Sequence, residues 1–309
     1  MIATFVWLQA PGAAFAVPVM RLLHGETYTG TSEFVDGLAN AWRWDRSIST
    51  HRLASEVVED IQFRLDQVTR GRADFAILPI HAFRKHMEDF PGLRVLGVLW
   101  PNYLHALVRE DNPAPVFTVP LSKPVVVASN AEYVLNGLRE WGRGKGRRLG
   151  AIRQETSGKN PISLAVEGDE IVVFSAPAPI LELRQAMAEN SDLRVMRVSS
   201  RISEILELYY PWVQRESLPE GVYAGVGKTV IPAWHMILVV NERVSDVGIQ
   251  KMLGVLYDTN PILRQANPLF GAIDGKLNTV FAKLFPFHDE TARRFGFETF
   301  DDPNKSKRR

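Results

Sequence analysis

Cysteine is missing from all 309 positions, which excludes disulfides, zinc–thiolate centres and a cysteine nucleophile together. Net charge is almost missing as well. With 36 basic side chains against 35 acidic ones, the formal charge is +1, so no global field draws the chain to nucleic acid or to an anionic membrane. No window reaches the 18 or more apolar residues of a spanning helix. Gly-x-Ser-x-Gly, His-Glu-x-x-His and Gly-x-x-x-x-Gly-Lys-Ser/Thr are absent. The seven histidines do not pair at metal-ligand spacing, and His81 and His86 stand too far apart to share one helix turn. These absences argue against an enzyme and imply neither cofactor nor metal.

A 46% hydrophobic content in a chain of this length is enough to bury a large core, and the length suggests about two domains. One local charge run stands out: Gly142 to Arg148 carries Arg143, Lys145, Arg147 and Arg148 among glycines. It could grip phosphate or a partner, but it interleaves no aromatic residues for base stacking, and a solvated surface turn explains it equally.

Short apolar strands alternate with helical stretches, the pattern of an α/β sheet. Ala3 to Leu8 reads as a strand, Ala10 to Ala13 as a turn and Phe15 to Leu23 as a helix. Leu53 to Thr69 has helical spacing, broken by Gly71 before a strand at Phe75 to Leu78. Strands follow at Leu93 to Leu99 and Tyr103 to Val108, then a Pro-rich loop at Asn112 to Pro124. Val125 to Ala128 and Glu170 to Phe174 read as strands, with helices at Ala131 to Gly142 and Ile180 to Ala188. Leu193 to Val198 closes that unit, a long strand at Ala233 to Val240 opens the last segment, and helices follow at Ser245 to Asp258, Leu277 to Leu284 and His288 to Phe295. No internal repeat is visible.

Several of these segments carry a resemblance: Tyr209-Tyr210-Pro211, Gly221-Val222-Tyr223-Ala224-Gly225, Val230-Ile231-Pro232, and Pro286-Phe287-His288 before Phe295-Gly296. In that order they resemble the closing signature of the TAXI family, the solute receptors of tripartite (TRAP) transporters. Gly71-Arg72-Ala73-Asp74-Phe75-Ala76-Ile77 is similar to the Gly-x-Ala-Asp-x-Ala-Ile element of such receptors, and Ala165 to Pro177 resembles a segment that ends over the ligand cleft. The resemblance implies an α/β, two-lobed periplasmic-binding fold of type II, with a hinge and a central cleft. Lobe one would comprise residues 1–108 and 209–300, lobe two 113–198, and 301–309 a disordered tail. It also implies a monomeric receptor that binds a small organic solute, carboxylate or amino-acid-like, outside the cytoplasm and presents it to TRAP permease subunits. The leader of an exported protein is expected to have been removed or to be absent, because Met1 stands directly before the first apparent strand.

The chain departs from that family at its anion-binding loops. Where a run of donors is expected, Ser55 to Ile61 carries Glu56, Glu59 and Asp60, and Ala128-Ser129-Asn130-Ala131-Glu132 replaces a second donor loop. A receptor-like sensor or interaction protein that has lost transport is therefore the alternative. Ten residues are candidates for the ligand site. Gln9, Gly12 and Phe15 form a strand–helix turn with free N–H groups and an apolar wall, or a plain connection with a core Phe. Ser129 and Asn130 follow a strand and either meet the ligand or cap the next helix. Ser175 and Pro177 end a buried strand. Tyr103 and Tyr223 lie on the expected lobe crossings, as cleft covers or as packing. His81 ends a strand, either as a donor to a carboxylate or as an ordinary satisfied or exposed histidine. Asp74 reads as structural, and His288 as the cap of the last helix.

Overall fold

Buried apolar runs fix the sheet. The computed structural model describes residues 19–25, 30–44, 52–112, 114–147, 149–258, 261, 264–265, 270–271, 273 and 275–298. Strand β1 (Val19–His24) lies between β2 (Arg52–Val57) and β3 (Phe75–Pro79), parallel to both. Strand β4 (Leu93–Arg109) is followed by β5 (Val116–Phe117), β6 (Val125–Val127), β7 (Ile152–Gln154), β8 (Ile171–Ala176), β9 (Leu193–Val195), β10 (Arg197–Val198), β11 (Gln214–Leu218) and β12 (Thr229–Asn241).

One strand order occurs twice. The first half reads β2-β1-β3-β12-β4 and the second β7-β6-β8-β4-β9. In each, three parallel strands meet an antiparallel one, β12 or β4, which then pairs antiparallel with a fifth. Strand β4 belongs to both: Leu93 to Tyr103 pairs with β12, and Tyr103 to Arg109 with β8 and β9. The fold is the two-lobed, type II periplasmic-binding arrangement. The duplication is topological, which is why no repeat shows in the amino acids.

Helices cover the sheet: α1 (Thr31–Trp44), α2 (Ile61–Thr69), α3 (Ile80–His86), α4 (Glu132–Gly144), α5 (Pro161–Glu167), α6 (Leu181–Glu189), α7 (Ser200–Tyr209) and α8 (Asp246–Tyr257), then helices Lys276–Phe281 and Asp289–Phe295. The core beneath them is continuous and includes Phe34, Trp100, Trp234, Phe281 and Phe287, all buried. Among the described residues no helix is long and apolar enough to cross a membrane.

Three sequence expectations fail. Within the Phe15 to Leu23 stretch, the described part from Val19 onward is strand β1, set by parallel pairing with β2 and β3, while its mixed burial, with Val19 and Arg21 exposed and Leu22 to His24 buried, gives no clean alternation for periodicity to reveal. Leu53 to Thr69 is not one helix. Asp60 accepts the Phe63 N–H at 2.9 Å and starts α2, while the preceding residues form the exposed edge strand β2. The strands expected on either side of Pro101 are one, since Pro101 sits opposite His235 beside an irregularity in β12 where a missing N–H is tolerated. The strand at Ala3 to Leu8, the turn at Ala10 to Ala13 and the tail from Asp301 lie outside the described residues.

Candidate functional site

A cavity of about 240 Å³ opens where β4 passes from one half of the sheet to the other. Asn102 stands on β4 opposite Trp234 and has no solvent exposure. Neither its Oδ1 nor its Nδ2 has a hydrogen-bond partner. A buried amide left unpaired costs about 1–3 kcal/mol for each unsatisfied group, and of the described residues that line this cavity Asn102 alone leaves both ends of its amide unpaired.

The opposite wall comes from the end of β8 and the turn after it. Asn130, in the helical turn Ser129–Ala131, accepts the Ser175 N–H at 3.1 Å and donates to the Ser175 carbonyl at 2.7 Å. That clamp ties both ends of the amide to the backbone and fixes the position of Ser175, whose Oγ lies 3.1 Å from the Tyr133 hydroxyl. Phe174, Pro177, Ile162 and Ile180 supply apolar surface, and Asn160 and Glu182 stand at the rim as exposed groups. Asn160 also caps α5, accepting the Ile162 N–H at 2.8 Å.

Aromatic rings extend the wall along the seam. Tyr133 is edge-on to Trp212 at 5.3 Å and to Tyr210 at 5.9 Å. His81 lies 5.5 Å from the Trp212 ring and edge-on to Trp234 at 4.8 Å. Burial pushes the Tyr133 hydroxyl well above its ordinary range and draws His81 down to about 4, so His81 is neutral near pH 7. Its Nδ1 is buried without a partner.

A second network holds the turn from outside. The Tyr223 hydroxyl accepts the Ile180 N–H at 3.1 Å and lies 2.9 Å from His105 Nε2, while His105 Nδ1 is 2.9 Å from the Tyr103 carbonyl. Since only Nδ1–H can serve that carbonyl, Nε2 is the acceptor and Tyr223 donates to it. Burial lowers His105 to about 4, which keeps the required tautomer uncharged. The loop carrying Tyr223 turns through Gly221 and Gly225 at positive φ, which explains the Gly-x-Tyr-x-Gly spacing.

No family model and no curated protein sequence matches the chain. Solved structures do resemble it at low identity. A Xanthomonas citri protein bound to ATP is 14% identical over 90% of this chain and 94% of its own, with a TM-score of 0.49. The effector-binding domain of QuiR in complex with shikimate is 11% identical over 82% and 99%, at 0.45. A histidine kinase sensor domain with similarity to periplasmic binding proteins is 11% identical over 82% and 95%, also at 0.45.

Of the sequence candidates, Asn130, Ser175 and Pro177 meet at the cavity. Ser129 is exposed, and neither it nor Asn130 caps α4, which corrects the capping alternative: Asn130 is taken by Ser175 instead. His81 belongs to the aromatic seam rather than to the described cavity wall, and it is half-buried with its Nδ1 unpartnered. Tyr223 stands behind the wall as its support, and Tyr103 is half-buried beside it, with burial and the Glu216 charge pushing its hydroxyl up to about 12. Gln9, Gly12 and Phe15 lie outside the described residues. Asp74 accepts the Arg21 N–H at 2.7 Å and ties β1 to the start of β3, a structural role. His288 caps the last helix through Nδ1.

Sequence reasoning missed Asn102, Tyr133, Trp212 and Trp234. Asn102 did leave a signal, being a lone uncharged amide inside the apolar run Val98-Leu99-Trp100-Pro101-Asn102-Tyr103-Leu104. The cationic run after Gly142 lies elsewhere. Arg139, Arg143 and Arg147 line a shallow surface depression, with Arg143 paired to Glu140 at 2.5 Å.

Proposed function

We propose that this protein is the solute receptor of a tripartite transporter: its two lobes close on a small organic molecule outside the cytoplasm and present it to a membrane permease. The role is binding without turnover. The observation that carries the reading is Asn102, a buried amide with no protein partner in the wall of a cavity at the junction of the two halves. Contacts shared between Asn102 on β4 and the Ser175–Ile180 wall favour the closed arrangement by their own binding energy, which is how such a hinge couples occupancy to shape. Transport by a TRAP permease is what the resemblance of the Tyr209 to Gly296 region adds.

The test is a thermal-shift screen of the purified chain against neutral, cationic and anionic small organic compounds. A solute at a hundred times its Kd stabilises the folded state by about 2.7 kcal/mol, enough to raise the midpoint by several degrees. The expected result is a shift with one chemical class that disappears in Asn102→Leu. A flat response across all classes, on protein shown to be folded, overturns the receptor reading.

A further inference from the structure

The chemistry of the cavity wall, taken with the receptor reading on which this inference rests, narrows the ligand class. We propose that the cavity recognises a neutral planar amide edge, one carbonyl and one N–H side by side, in preference to a carboxylate.

Asn102 offers an acceptor, Oδ1, and a donor, Nδ2, in one plane, both buried and both unpartnered. One group satisfies both at once only if it presents a donor and an acceptor in the reverse order, as a primary carboxamide, a lactam, a urea or a heterocycle edge does. Asparagine reads the N6/N7 edge of adenine by the same geometry. A carboxylate carries two acceptors. It would meet Nδ2 with one oxygen and set the other against Oδ1, leaving a repulsive contact in a dry site.

Charge points the same way. Among the described residues the cavity wall contains no cation, and its one ionisable side chain is an acid, Glu182. An anion entering there gives up water without gaining a counter-charge and faces a like charge at the rim. Asn130 supplies no charge, and its amide is oriented by its two bonds to the Ser175 backbone.

Shape completes the argument. Phe174, Pro177 and Ile180 give apolar surface against which a ring can pack. The volume of about 240 Å³ exceeds the roughly 150 Å³ of an engineered cavity that takes benzene, so a single ring bearing an amide fits. Asn102 has no solvent exposure, so under the receptor reading the halves part before a ligand reaches it.

Isothermal titration of the full chain with benzamide against its isostere benzoate, and with uracil, tests the assignment. The expected result is that benzamide or uracil binds at least about tenfold tighter than benzoate, the ratio that one unsatisfied buried polar contact of about 1.4 kcal/mol produces. Asn102→Leu, which removes both the donor and the acceptor, should weaken benzamide and uracil binding and abolish the part of that preference that the amide edge carries. Glu182→Gln, at an exposed position where folding is not at stake, should strengthen benzoate binding by removing the like charge. Benzoate binding as well as or better than benzamide overturns the amide assignment and leaves the receptor reading standing. So does binding of a non-amide solute from the wider screen while both amides are ignored. Benzoate affinity unmoved by Glu182→Gln overturns the charge argument. Silence from every compound in the wider screen overturns both the assignment and the receptor reading.

Discussion

The Tyr223 hydroxyl ties together three segments far apart in sequence, the Gly221–Gly225 turn, β4 through His105, and the start of α6 through Ile180. Tyr223→Phe keeps the ring and strands two buried polar groups. It should therefore cost about 1–3 kcal/mol, read as a lower urea midpoint, and should weaken solute binding because the Pro177–Ile180 wall loses its outer support. The histidines give a pH signature. His81 and His105 titrate near 4 in the folded chain because burial penalises their charged forms, against about 6.5 when unfolded. Between pH 6.5 and 4 the unfolded chain takes up protons that the folded chain refuses, so acid destabilises the fold across that window. The slope reaches up to about 1.4 kcal/mol per pH unit for each histidine, and the contribution is constant above about pH 7. Thermal midpoints measured from pH 7.5 to 4 check this. His81→Phe, which keeps a ring against Trp212 and Trp234, should make the slope shallower.

At the scale of elements, local chemistry decided most boundaries and burial decided the rest. Helix α2 ends as its sequence predicts. Gly71 takes φ +68, its N–H reaches the Val68 carbonyl, and the Arg72 N–H reaches that of Gln67, which together make a Schellman cap. A Cβ at Gly71 would meet nothing within 4 Å. Gly71→Ala should thus cost only the backbone term of about 1–2 kcal/mol, and chemical denaturation with an unchanged m-value checks it. Strands β3, β6 and β8 and helices α4 and α6 were legible for the same reason: each has a clear apolar run and a clear stop. Strand β1 was not, because Leu22, Leu23 and His24 are buried in succession after an exposed Val19 and Arg21, which is no clean alternation, and its place is set by pairing with β2 and β3. Strand β2 failed for the opposite reason, since an exposed edge strand carries as many polar residues as a helix face.

For the whole molecule, β4 is shared between two halves of one sheet that repeat the same strand order, and under the proposed receptor role that shared strand is the hinge beside the cavity. A solute that raises the thermal midpoint should also reduce the radius of gyration measured by small-angle scattering. It should slow amide exchange at the end of β8, where Ser175 is clamped by Asn130. Asn130→Ala releases that clamp while leaving Asn102 in place, so it should lower affinity more than it lowers the unfolding midpoint. Equal loss of both would assign Asn130 to stability alone.

By itself the sequence determined what chemistry is impossible here, the α/β class, and those turns and caps that rest on glycine, such as Gly71 and the Gly221–Gly225 pair. It also placed Asn130, Ser175 and Pro177 at strand ends, because a strand end followed by a helix is a local pattern. Tertiary structure decided which of these meet and what state they meet in. Asn102, 28 positions before Asn130 and 73 before Ser175 in the chain, joins their cavity only because β4 continues through Pro101 into the second half of the sheet. Whether its amide finds a partner depends on every neighbour that packs around it. Periodicity reports the face a residue shows. Whether a buried polar group is satisfied is a property of the assembled packing, and that is where the site is found.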